Sequence, residues 1–141
     1  MKILALDIGD RWTGSAISDP LGMFARPYRT VATTELESFL TEVIEQENIK
    51  RIVVGHPKTL RGTESEQTKK IKAHKQELEK KFTMVTWELW DERLTSKMAG
   101  ATPGQRGKKS KADKLRSHSI AAAFILDSYL SYLQNQKNMQ A

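Results

Sequence analysis

Short apolar runs and helical stripes alternate along this chain. Ile3, Leu4, Ala5 and Leu6 form a continuous apolar run closed by Asp7. That pattern predicts a strand over 2–7 that is buried on both faces. Gly9 and Asp10 mark a turn. TGSAIS at 13–18 predicts a second strand, closed by Asp19, Pro20 and Gly22. The stretch from Met23 to Val31 predicts a third, and Pro27 argues against a fully paired central place for it. Three strands with connections this short predict an antiparallel meander.

The period then changes. Leu36, Phe39, Leu40, Val43 and Ile44 follow helical spacing, with Thr33 or Thr34 available as a cap. Ile52, Val53 and Val54 predict a short strand stopped by Gly55 and Pro57. Thr63 with Glu66 three residues on has the form of a capping box, opening a polar helix to about Lys81. Its apolar contacts are Ile71, Ala73, Leu78 and Phe82, so it should cover a surface. Thr83 to Trp90 alternate and are rich in β-formers, which predicts a strand ending at Asp91 and Glu92. A short helix is expected over Thr95–Ala99, a glycine-rich basic loop over 100–111, and the longest helix over 112–133. From Gln134 the polar tail has little to bury and is expected to fray. The order predicts an α/β fold: a mixed sheet with helices on its faces, the later strands parallel because their crossovers are long.

Composition narrows this. The 141 residues suit one domain, taken here as 1–133 with a frayed tail over 134–141. Hydrophobic residues at 38% and charged residues at 28% fit a globular protein. No Cys is present, which excludes disulfides, thiolate zinc and a cysteine nucleophile. No apolar run approaches membrane-spanning length, and the N-terminus lacks a signal peptide's pattern, so the cytoplasm is the expected compartment. The net charge is +6, which favours an anionic partner. Lys97, Arg106, Lys108, Lys109, Lys111, Lys114 and Arg116 face a single acid, Asp113, so this segment accounts for the whole net charge. It reads as a clamp on nucleic-acid phosphates or as a solvated loop.

The candidate chemistry lies at strand ends. Asp7 closes the first strand, and Asp91 and Glu92 close the last. In sheets with parallel strands, ligands bind beyond the carboxyl ends. Were the two strands neighbours, Asp7 and one of the later acids would sit a few ångströms apart. A divalent ion such as Mg²⁺ would then relieve their repulsion. The competing reading is that these acids are solvated turn residues. His118 shares a helix face with Leu115, Ala122, Leu126, Tyr129 and Leu133, as a core histidine or as a ligand and proton relay. Trp87 and Trp90 have opposite parity and should face opposite sides of the sheet, whereas Trp12 beside Arg11 is expected in an exposed turn. Gly9 and Gly14 serve a tight turn or the approach of the backbone to a phosphate, or are simple hairpin residues.

Taken in order, LALDIGDRWTGSAISDPLG, IVVGHPKTLRGTESEQT, DERLTS and SIAAAFILDSYL resemble the YqgF/RuvX family over Ile3 to about Tyr132. These are small bacterial RNase H-fold proteins described as Holliday junction resolvases or pre-16S rRNA nucleases. The resemblance implies a five-stranded mixed sheet, second strand antiparallel, flanked by helices. It also implies metal-dependent endonuclease activity on structured nucleic acid, with Mg²⁺ or Mn²⁺ as cofactor. The partner would be ribosomal RNA precursor or branched DNA, bound by a monomer or a homodimer. Asp7 matches the family's first-strand carboxylate, and Glu92 the glutamate of the DER motif, with Asp91 beside it. Arg11, Arg93, Arg106, Lys108, Lys109 and Lys111 would hold phosphates.

Two departures stand out. The family carries an acid in the last helix where this chain has His118 after Ser117, making His118 a third ligand or a proton shuttle. Trp12 stands where the family commonly has Arg. The first departure supports an alternative reading: a nucleic-acid-binding RNase H-like protein with weak or lost catalysis. An ATPase or sugar-kinase fragment is a further alternative, but such enzymes hold nucleotide between two domains.

Overall fold

Ile3 to Leu6 are buried on both faces because they sit in the middle of the sheet. The computed structural model describes residues 2–56, 65–91 and 111–140. Strands β1 (Lys2–Ile8), β2 (Trp12–Ser18), β3 (Ala25–Ala32), β4 (Ile49–His56) and β5 (Thr86–Asp91) form one sheet in the order β3-β2-β1-β4-β5. The β1–β2 and β2–β3 pairs are antiparallel; β1–β4 and β4–β5 are parallel. The meander and the parallel crossovers are both as expected. Pro27 lies on edge strand β3, where its missing N–H costs least. The β2–β3 ladder shifts register between Gly14 and Ala16, and Ser15 fills the gap. Its Oγ donates to the Arg29 carbonyl at 2.7 Å and accepts from the Arg29 amide at 3.1 Å.

Helices α1 (Leu36–Gln46) and α2 (Glu66–Lys81) cover one face, and α3 (Lys111–Gln140) covers the other. Leu4, Leu6, Ile52 and Val54 point to the first layer; Ile3, Ala5, Ala16 and Val53 point to the second. Trp87 and Trp90 divide between the layers as their parity required. Trp12 differs from expectation: it opens β2 and is part-buried.

Three boundaries also differ. A 3₁₀ turn at Thr33–Glu35 precedes α1, so Glu35 takes the N-cap position and makes no side-chain cap bond, while the Thr33 hydroxyl donates to the Gly9 carbonyl. Helix α2 is capped by Ser65, whose Oγ accepts from the Thr68 amide at 3.2 Å. Thr63 lies outside the described residues. Helix α3 runs to Gln140 instead of fraying from Gln134. It contains no Gly or Pro, and Gln136 donates to the Tyr132 hydroxyl one turn back. The helix expected over Thr95–Ala99 and the basic loop over 100–110 lie outside the described residues.

Beneath α3, Arg51 donates to the Tyr129 hydroxyl at 2.7 Å, and that hydroxyl donates to Glu88 Oε2 at 2.5 Å. Burial, and then the Glu88 hydrogen bond, push the Tyr129 phenol up to about 12. The folded protein therefore holds this proton more tightly than the unfolded chain. The contribution is complete below the ordinary value of 10.0 and is lost as pH rises to about 12. Denaturant unfolding followed over that range should show stability falling, and Tyr129→Phe should flatten the fall. An equal slope in the variant would assign the alkaline loss elsewhere.

Candidate active site

Asp7 lies near the carboxyl end of β1, the central strand, and is directly opposite Gly14 of β2. Alternation puts Asp7 on the same face as Ala5, which is the α3 face. Gly14 shares that face with Ala16. A Cβ on Gly14 would stand 2.0 Å from the His118 carbonyl oxygen and 2.7 Å from the Ser119 nitrogen. The helix backbone therefore rests on this glycine. One residue across, the Thr30 hydroxyl donates to the Leu115 carbonyl at 2.6 Å and ties the same turn of α3 to β3. Asp7, Gly14 and Thr30 form one row across three strands, and α3 enters the sheet over that row. Asp7 and His118, 111 positions apart in the chain, thus come to one row of the sheet and to the helix turn lying over it.

The turn leading from Asp7 is pinned as well. The Gly9 amide donates to the Trp12 carbonyl at 3.0 Å, and a Cβ on Gly9 would stand 2.7 Å from that oxygen. Thr33 donates from its hydroxyl to the Gly9 carbonyl at 2.7 Å and from its amide to the Arg11 carbonyl at 3.0 Å.

Asp91 is not beside Asp7. Strand β4 separates their strands, which places them about 10 Å apart across the sheet. Leu6, Val54 and Leu89 are level, so Asp91 shares the face of Leu89, covered by α1 and α2, with His56 as its register partner. Glu92, Arg93, Arg106, Lys108 and Lys109 lie outside the described residues. Arg11 and Lys111 are exposed, at the β1–β2 turn and the first residue of α3.

Residues 1–132 match the family model described as RuvX: Holliday junction resolvase. The chain belongs to the RuvX family. A relative from Christiangramia forsetii, named "Putative pre-16S rRNA nuclease", is 40% identical over 131 residues, covering 92% of this chain and 97% of its own. One of the same name from Rubrobacter xylanophilus is 36% identical over 129 residues, covering 92% and 91%. Among solved structures, T. thermophilus RuvC in complex with Holliday junction substrate matches with a TM-score of 0.60 at 14% identity, covering 95% of each chain. That likeness shows the fold: the sheet and its helices are RNase H-like. RuvX membership makes phosphodiester hydrolysis the reaction class, and nucleases of this kind generally use divalent metals.

Of the residues expected to hold such an ion, Asp7, Asp91 and His118 lie among the described residues. The described residues contain no group of three or more His, Asp or Glu able to hold a metal. Among them no helix is long and apolar enough to cross a membrane. Sequence reasoning missed Thr30, which fixes α3, and read Thr33 as a helix cap where it fixes the turn. Threonine is common in strands, and only the partner across the fold distinguishes these two.

Proposed function

We propose that this RuvX-family chain is a metal-dependent endonuclease acting on structured nucleic acid, either the 5′ extension of pre-16S rRNA or branched DNA. The observation that carries this reading is the register of Asp7 against Gly14, with His118 laid over that glycine. Asp7, His118 and Glu92, the next residue after Asp91, would hold the ion. When bound, it activates water and offsets charge on the leaving oxygen. Asp91 is left out of this set because alternation turns it to the other face. An imidazole donor in place of a carboxylate suits Mn²⁺ better than Mg²⁺. Arg11 and Lys111, with Arg93, Arg106, Lys108 and Lys109, would bind phosphates and add the salt dependence that such contacts carry.

Single-turnover cleavage of a 5′-extended 16S precursor fragment and of a four-way DNA junction tests the reading. Cutting is expected in Mn²⁺, more slowly in Mg²⁺, and not in chelator. A second reading, a binding protein without catalysis, is favoured by His118 standing where the family carries an acid. Tight binding with no cutting in either metal would decide for it.

A further inference from the structure

A hollow lies on the α2 side of the β1–β2 turn. Its volume is about 190 Å³, and Ile8, Gly9, Asp10, Thr33, Gln67, Lys70, Ile71 and His74 border it. On α2, Gln67, Lys70, Ile71 and His74 follow the spacing of one helix face. Ile71 is buried and anchors that face to the core, leaving the three polar side chains along the hollow. The opposite wall is the turn already pinned by Thr33.

The polar groups here are uncommitted. Among the described residues, Lys69, Lys75 and Lys81 pair with Glu66, Glu79 and Glu37. Lys70, His74, Gln67 and Asp10 make no side-chain hydrogen bond or ion pair there. They are also chemically mixed. Lys70 and His74 suit an anion, Gln67 both donates and accepts, and the Asp10 carboxylate only accepts. A bare phosphate would satisfy Lys70 but face Asp10. A neutral sugar would satisfy Asp10 but leave Lys70 without a partner. A nucleotide unit carrying both a phosphate and a free hydroxyl answers all of them. The 2′-hydroxyl distinguishes RNA from DNA. The hollow opens at Gly9, two residues past Asp7, about 7 Å along an extended strand.

Resting on the nuclease reading above, we propose that this hollow takes the ribose-phosphate unit next to the one being cut. Lys70 and His74 hold its phosphate, and Asp10 accepts from its 2′-hydroxyl, so the protein selects RNA. The substrate strand then rounds the carboxyl end of β1 from the α3 face to the α2 face.

The test is binding, read by fluorescence anisotropy in chelator. The probes are a labelled hairpin from the pre-16S 5′ leader, made as RNA and as its all-deoxy counterpart. Wild type should bind the RNA about fivefold to tenfold more tightly. Asp10→Ala should abolish that preference by weakening RNA alone. Lys70→Ala should weaken both and lower the slope of log affinity against log salt by about 0.7. Both side chains are exposed, so both variants should fold, which melting curves check. Equal binding of the two probes by wild type would overturn the proposal. So would an unchanged preference in Asp10→Ala or an unchanged slope in Lys70→Ala; in each case the nuclease reading stands. Absence of binding to either probe would remove the nuclease reading and this proposal together.

Discussion

Gly14→Ala should cost about 3 kcal/mol or more and lower the melting temperature by about 10 °C. The added Cβ would stand 2.0 Å from the His118 carbonyl oxygen and 2.2 Å from its carbon. Non-bonded carbons rest at about 3.5–4.0 Å, so something must retreat by well over an ångström. Both sides of the clash are backbone, one in a paired strand and one in a helix, so neither can step aside by changing a rotamer. The helix has to lift, and lifting it opens the layer formed by Ala5, Ala16, Ala122, Ile125 and Leu126. Gly22→Ala is the control. Gly22 has φ 68, in the loop between β2 and β3, and should cost only about 1 kcal/mol. Denaturant unfolding of both variants checks this. A Gly14→Ala protein within about 1 kcal/mol of wild type would show that α3 does not rest on that residue. Because the lifted turn carries His118, the folded fraction of the variant should also cut more slowly than wild type.

Asp7→Asn should slow single-turnover cleavage by about a hundredfold to a thousandfold or more. A bound metal supplies several kcal/mol of charge stabilisation, and each 1.36 kcal/mol is about a factor of ten in rate. The amide keeps the shape of the side chain and removes its charge, so folding should change little. Asp91→Asn supplies the contrast. The two acids are both followed by residues of a strand-end motif, yet β4 and the alternation of β5 hold Asp91 away from the Asp7 face. Its replacement should leave the rate within a few-fold of wild type. Equal losses in the two variants would mean that both carboxylates serve one ion, against the strand geometry. No loss in Asp7→Asn would remove the nuclease reading.

Much of the fold was legible because its strands and helices have different hydrophobic periods. The apolar run Ile3–Leu6, buried on both faces, announced a central strand, and Pro27 announced an edge. Boundaries were less legible where a cap depends on the neighbouring chain. Thr33 resembles a helix cap in sequence, but its hydroxyl is engaged by Gly9, which only the folded turn brings near. The tail after Gln134 resembles a fraying end because it buries nothing, yet an unbroken run of helix-compatible residues lets α3 continue.

The chain's own order of residues determined the kinds of elements, the basic charge, the absence of thiol chemistry and the presence of strand-end acids. These depend on local spacing and on composition, which need no partner in space. Tertiary structure decided which acid meets which residue. The order β3-β2-β1-β4-β5 inserts β4 between the two acidic strand ends, and a two-residue period sends Asp91 and Asp7 to opposite faces. The missing side chain of Gly14 let α3 descend until His118 lay beside the Asp7 row. A glycine in a strand looks alike in sequence whether it serves a turn or a helix contact, and only the opposing backbone tells the two apart.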